Sequence, residues 1–166
     1  MGRSCRGLAL TGKLLLAVVI IVGLASAGWA GQAAPNFTLK DVMEGKEYSL
    51  GQFKGKVVLV NFFTFFCAPC REEMPHLSKL NQELQAKGYQ TLGIGLASSS
   101  EQLQTLTKQL GLSYPVLMGN NEVSQSYGNI QLVPTTFIID RQGKIAHKIL
   151  GARTEADLLK MIKPLL

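Results

Sequence analysis

Seven mostly apolar residues, Val57-Val58-Leu59-Val60-Asn61-Phe62-Phe63, run almost directly into two cysteines separated by two residues, Cys67-Ala68-Pro69-Cys70. An apolar block of this length is the pattern of a central strand buried on both faces. Beyond the second cysteine the period changes: Leu77, Leu80 and Leu84 recur three and four residues apart, which is helical spacing. The chain must therefore place its cysteine pair at a strand-to-helix junction, with the first sulfur at the helix N-terminus. Unpaired N–H groups and the helix dipole favour a thiolate over a thiol there. Cys67 is thus the attacking sulfur, and Cys70, one turn further in, resolves the mixed disulfide. As a mere staple the pair would restrict the unfolded chain little, because the loop it closes is very short.

The flanking sequence supplies a scaffold for this junction. Residues 37–50 read as a β-hairpin with its turn near Met43-Glu44-Gly45. The helix of the cysteines runs to Gly88, a C-terminal stop, and contains Pro75, which removes one backbone donor and should kink it. A strand over 91–97, a helix capped by Ser98-Ser99-Ser100 and stopped by Gly111, a strand over 114–118 and a short helix over 121–127 follow. Strands over 135–139 and 144–149 form a second hairpin across Asp140-Arg141-Gln142-Gly143, and Thr154-Glu155-Ala156-Asp157 caps the last helix. Strands alternating with helices and closing on a hairpin give an α/β sandwich.

Four segments together, APNFTL, VVLVNFF leading into CAPCREEMP, VPTTFIID and RQGKI, resemble the thioredoxin superfamily, and most closely its exported or membrane-anchored TlpA/ResA-type thiol-disulfide oxidoreductases. The resemblance covers the chain from about Ala34 onward. It implies a thioredoxin-like fold with an N-terminal β-hairpin and an extra strand–helix insertion between the helix of the cysteines and a cis-proline. That proline would be Pro134, facing the disulfide, bending the chain so that the Val133 backbone can pair with an extended substrate, and keeping metals from the cysteines. Glu73 matches the buried acid that tunes the cysteines and relays protons; burial would raise its pKa. Glu72 reads as a solvated neighbour. Asn61 stands where plain thioredoxins carry a buried acid, so any proton relay falls to Glu73 or water. Phe63 and Phe66 replace the tryptophans usual around the motif. Phe66, Ala68 and Pro69 join Val133 and Pro134 as candidate substrate contacts.

The direction of electron flow depends on the reduction potential and the redox partner, and the motif bears on it only through what it lacks. Ala68-Pro69 adds no positive charge beside Cys67, and a less stabilised thiolate makes a weaker oxidant, which favours a reductase. The resemblance implies protein disulfides or dithiols as partners, apocytochrome c and copper-site cysteines among them, with a membrane electron donor behind the pair.

The N-terminus sets the compartment. Arg3, Arg6 and Lys13 precede an uncharged apolar run from Leu14 to Leu24 and the small residues Ala25-Ser26-Ala27-Gly28. Residues 1–30 read either as a signal peptide cleaved after Ala27 or Ala30, or as an uncleaved anchor that holds the protein to a membrane. Both place the domain outside the cytoplasm. Residues 31–36 read as a linker and 37–166 as the thioredoxin-like domain. The leader carries half of the net charge of +6, and what remains is no nucleic-acid footprint. Beyond it only Cys67 and Cys70 are left, since Cys5 lies in the basic segment. No metal or other cofactor is expected, and the chain is expected to act as a monomer.

Two rival readings stay open. A thiol peroxidase would use Thr64, three residues before Cys67, although Val60 stands where a proline is expected. A copper-binding chaperone on the same fold would recruit a histidine. His147 lies in about the right region for that, whereas His76 reads as a surface residue.

Overall fold

The computed structural model describes residues 28–166, so the readings of the leader through Ala27, including Cys5, lie outside the described residues. A small antiparallel hairpin, β1 (Thr38–Lys40) and β2 (Glu47–Ser49), precedes β3 (Val57–Phe63), α1 (Ala68–Leu84), β4 (Tyr89–Gly95) and α2 (Ser100–Leu110). Then come β5 (Val116–Met118), α3 (Asn121–Ser126), β6 (Thr135–Ile139), β7 (Ile145–Leu150) and α4 (Glu155–Ile162). The main sheet has the order β5-β4-β3-β6-β7, with β3–β4 and β4–β5 parallel and β3–β6 and β6–β7 antiparallel. This is the thioredoxin-like α/β fold. The α2–β5–α3 segment stands between β4 and Pro134 and extends the sheet at its edge.

All seven residues of β3 are buried, as a central strand covered on both faces requires. Alternation sends Val57, Leu59 and Phe63 toward Met74, Leu77 and Leu80 of α1, with Leu158 and Ile162 of α4 in the same cluster. Val58, Val60 and Phe62 pack on the other face with Phe37, Leu39, Val123 and Tyr127. Each such buried side chain contributes roughly 1.5–3 kcal/mol relative to exposure. Asn61 shares the α1 face by parity, so a polar group is planted in the layer beneath the cysteines.

Several boundaries move for local reasons. The strand expected at 91–97 begins at Tyr89 and ends at Gly95, because Ala97 takes a positive φ of 45° and leaves the extended conformation. The next strand starts at Val116, since Pro115 has no N–H for the ladder. α1 remains one element through Pro75, tightens into a short 3-10 turn at Gln85–Lys87, and stops at Gly88 with φ 82°. At Gly95 an added Cβ would lie 2.5 Å from a Leu103 methyl, so its absence is what lets α2 pack tightly on β4.

The first hairpin is organised by a residue that hydrophobic periodicity ignores. Asp41 Oδ1 accepts from the Met43 and Glu44 N–H groups at 2.9 and 2.8 Å, and its Oδ2 accepts from Val116 N–H at 3.2 Å. Residues 29–34 lie along β7. Gly31 N–H donates to the Ile145 carbonyl at 2.7 Å, and Ile145 N–H to that of Gln32 at 2.8 Å. The Trp29 ring meets Phe137 edge-on at 5.6 Å.

Candidate active site

The strand β3 delivers the chain to Phe63, and the loop that follows is pinned before the helix begins. Phe65 N–H donates to Ser98 Oγ at 2.9 Å, and Leu96 N–H donates to the Phe63 carbonyl at 2.8 Å. Cys67 then occupies the N-cap of α1 in an extended conformation. Pro69 falls in the first turn, where its missing N–H removes nothing the helix would have paired.

Cys67 and Cys70 are joined as a disulfide with their Cα atoms 5.3 Å apart. Cys70 N–H donates to Cys67 Sγ at 3.2 Å, a geometry that favours a thiolate wherever a reduced sulfur accepts such a bond. Cys70 is only 1% exposed, whereas Cys67 is half-buried. The Val133 carbonyl oxygen lies 3.7 Å from Cys67 Sγ, and the Val133–Pro134 peptide bond is cis. The Pro134 carbonyl accepts from Gly151 N–H at 2.8 Å, so that oxygen is committed to the scaffold.

Around the sulfurs the surface is apolar. Phe66 is 74% exposed and Leu132 64%, and Ala68 and Pro69 are exposed. Phe65 backs Phe66 in an edge-to-face contact at 5.1 Å, and the Arg71 guanidinium lies 5.8 Å from the Phe65 ring. Phe63, in contrast, is fully buried and belongs to the core.

Behind the cysteines Glu73 is 2% exposed. Its Oε1 accepts from the Arg153 backbone N–H at 2.9 Å and its Oε2 from Asn61 Nδ2 at 3.2 Å. Asn61 Nδ2 also donates to Thr136 Oγ1 at 2.9 Å. Burial pushes the Glu73 carboxyl above the ordinary carboxylate range. The two hydrogen bonds and the nearby charges of Arg153 and His76 oppose that rise without cancelling it. Glu72 is exposed on the same helix.

Cys67, Cys70, Glu73, Val133, Pro134, Phe66, Ala68 and Pro69 therefore lie at the start of α1 and beside it. The histidines do not join them. His76 is half-exposed, 3.9 Å from the Glu155 carboxylate. His147, opposite Ile138 on β7, lines a groove of about 480 Å³ with Arg153, Asp157 and Lys160. Among the described residues no group of three or more His, Cys, Asp or Glu side chains is placed to hold a metal ion.

Thr136 and the Arg153 backbone escaped the sequence reading. Thr136 faces Asn61 only through the β3–β6 register, which no local pattern reveals. Arg153 contributes a main-chain group, so its identity carries no signal.

Residues 29–162 match the Redoxin family. The thiol-disulfide oxidoreductase ResA of Bacillus thuringiensis subsp. konkukian (strain 97-27) is 36% identical over 134 residues, 80% of this chain and 76% of its own. A thioredoxin-family thiol:disulfide interchange protein of Chlorobium tepidum TLS superposes with a TM-score of 0.76 at 32% identity, over 85% of this chain and 99% of its own. A secreted thiol-disulfide isomerase of Corynebacterium glutamicum does so at 0.73 and 30% identity, over 80% and 84%.

Proposed function

The chain belongs to the Redoxin family of the thioredoxin superfamily, and on that premise we propose that it works outside the cytoplasm as a reductase of protein disulfides. It is a thiol-disulfide oxidoreductase, and its relatives carry that name. The observation that carries the reading is the Cys67–Cys70 pair at the start of α1, with Cys70 N–H aimed at Cys67 Sγ and the Val133 backbone alongside.

In the reductive direction the Cys67 thiolate attacks one sulfur of a partner disulfide. The other partner sulfur leaves as a thiolate, and Cys67 is joined to the partner. Cys70 then attacks Cys67 Sγ, the intermolecular bond breaks, and the partner departs with both sulfurs reduced. Glu73 takes the Cys70 proton, and its raised proton affinity suits that role. The exposed Phe66, Ala68 and Pro69 and the Val133 backbone receive the partner's chain as an extended segment.

Export rests on the basic and apolar leader and on likeness to a secreted isomerase. Among the described residues no helix is long and apolar enough to cross a membrane. An anchor, if retained, belongs to the leader. Resemblance to TlpA/ResA-type proteins supports apocytochrome c or copper-site cysteines as substrates, and a membrane donor would restore the dithiol.

The deciding measurement is the reduction potential of the pair, read by alkylation after equilibration in thiol buffers. A value near about −270 mV or below is expected of a reductase. A value near about −120 mV would make the protein an oxidant of exported thiols and overturn the reading.

A further inference from the structure

We propose that Asn61, anchored by Thr136, is a positioning residue that lets Glu73 hold either protonation state, by presenting its side-chain amide either way round. This rests on the reading of Glu73 as the acceptor of the Cys70 proton.

The carboxylate is gripped at both oxygens by groups that only donate, Arg153 N–H on Oε1 and Asn61 Nδ2 on Oε2. That arrangement suits the ionised form alone. Once Glu73 carries a proton, its new O–H needs an acceptor, and a buried O–H without one is heavily penalised. Neither Arg153 N–H nor an Asn61 NH2 group can accept. Of the two groups bonded to Glu73, only Asn61 can also accept, because its other end is a carbonyl.

Thr136 makes the exchange feasible. In the present arrangement Nδ2 supplies one hydrogen to Glu73 and the other to Thr136 Oγ1. With the amide turned over, Oδ1 accepts from both the Glu73 O–H and the Thr136 O–H. A hydroxyl serves as donor or acceptor by rotation, so the Glu73 carboxyl and the Thr136 hydroxyl each keep a partner in both states. The backbone is not asked to move, since Asn61 and Thr136 are register partners in adjacent central strands. The same contacts close a circuit through the site: Pro134 carbonyl to Gly151 N–H, Arg153 N–H to Glu73, Glu73 to Asn61, Asn61 to Thr136, and along β6 back to Pro134.

In the step served, the Cys70 S–H proton passes to Glu73 as Cys70 sulfur bonds to Cys67 sulfur. The Cys67–partner bond breaks, and its electron pair leaves on the partner's sulfur. The dithiol is oxidised, the partner disulfide is reduced, and Glu73 ends as the acid. Cys70 lies one turn back on the same helix. The charged or titratable groups facing Glu73 are His76 on that helix, Arg153 before α4, and Tyr114 before β5, whose buried hydroxyl has no hydrogen-bond partner among the described residues.

The test follows the reduced full chain reacting with an aromatic disulfide that releases a coloured thiolate. The first release reports attack by Cys67, and the second reports Cys70 resolving the adduct. The pH profile of the second phase is compared for the wild type and the Glu73→Gln, Asn61→Ala, Asn61→Asp, Thr136→Val and Thr136→Ser variants, each checked for folding by thermal melting. Thr136→Val is nearly isosteric and protects the test against a variant that fails to fold. Glu73→Gln should flatten the acid limb of the profile. Asn61→Ala and Thr136→Val should slow the second phase about tenfold or more near the midpoint of that limb. Asn61→Asp should displace the limb to higher pH, since it sets a second carboxylate beside the first. Thr136→Ser should restore the wild-type curve. If Glu73→Gln changes the profile while Asn61→Ala and Thr136→Val superimpose on the wild type, the inference is wrong and the reading of Glu73 survives. If Glu73→Gln itself leaves the profile unchanged, that reading fails and takes the inference with it.

Discussion

The backbone N–H of Arg153 donates to Glu73 Oε1 at 2.9 Å across 80 residues of sequence, so the buried acid of the site is held by main chain rather than by an ion pair. Desolvation nevertheless prevails and the carboxyl is raised above its ordinary 4.5. Between that value and the raised one, the folded protein binds a proton that the unfolded chain has released. The stabilisation linked to Glu73 is thus fully present below about pH 4.5 and is lost as pH rises through the folded value. Glu73→Gln should remove this slope, so the variant gains on the wild type between pH 4 and pH 8. The gain is about 1.4 kcal/mol for each pH unit by which the carboxyl is raised. Urea unfolding at the two pH values checks it; a parallel loss at both would contradict the assigned desolvation.

Cys70 lies under the surface at 1% exposure while Cys67 is reachable. Cys70→Ser should therefore accumulate a covalent adduct between Cys67 and a protein disulfide substrate, visible by mass spectrometry and released by reductant. Cys67→Ser should give none. Equal trapping by both variants would reverse the assignment of attacker and resolver.

The local part of this architecture was legible in the sequence and the long-range part was not. The apolar block at Val57–Phe63 and the leucine spacing after Cys70 report burial on two faces and on one, so β3 and α1 fall where periodicity puts them. Ser99 and Thr154 cap their helices through side chains that act within three residues, which a linear reading captures. Glu73 and Asn61 could be picked out by family likeness, but their meeting depends on how α1 lies over β3. Thr136 enters through strand register, and Asp41 through a bond to Val116 on another strand. Such contacts are set by packing between elements and leave no periodic trace.

Trp29 extends the folded unit toward the leader. Its ring packs edge-on against Phe137 at 5.6 Å, with the Lys148 ammonium 4.8 Å from its centroid. A Cβ at Gly128 would come within 2.6 Å of the indole. Trp29→Ala should lower stability by about 1–3 kcal/mol, less than for a fully buried indole because the residue is only partly buried. A chain beginning at Gly31 should lose as much against one beginning at Gly28. Urea midpoints of the three forms, followed by far-ultraviolet dichroism, test this. Indistinguishable midpoints would mean that residues 28–30 add nothing to the domain.

Phe66 separates recognition from chemistry. At 74% exposure its ring supports no core, and substitutions at such positions usually change stability by less than about 0.5 kcal/mol. It stands one residue before Cys67, with Phe65 behind it at 5.1 Å, so its free face is presented to whatever approaches that sulfur. A polypeptide disulfide would cover that face, whereas a small disulfide could reach the sulfur without doing so. Phe66→Ser should leave the melting temperature unchanged and the rate with a small aromatic disulfide within about twofold of the wild type. It should cut kcat/KM for a protein disulfide about tenfold, the loss of one well-covered aromatic contact. Parallel kinetics on the two substrates decide the matter. An equal fall on both would place Phe66 in the chemistry of Cys67 itself, and no fall on either would move the docking surface elsewhere, toward Leu132 and the Val133 backbone.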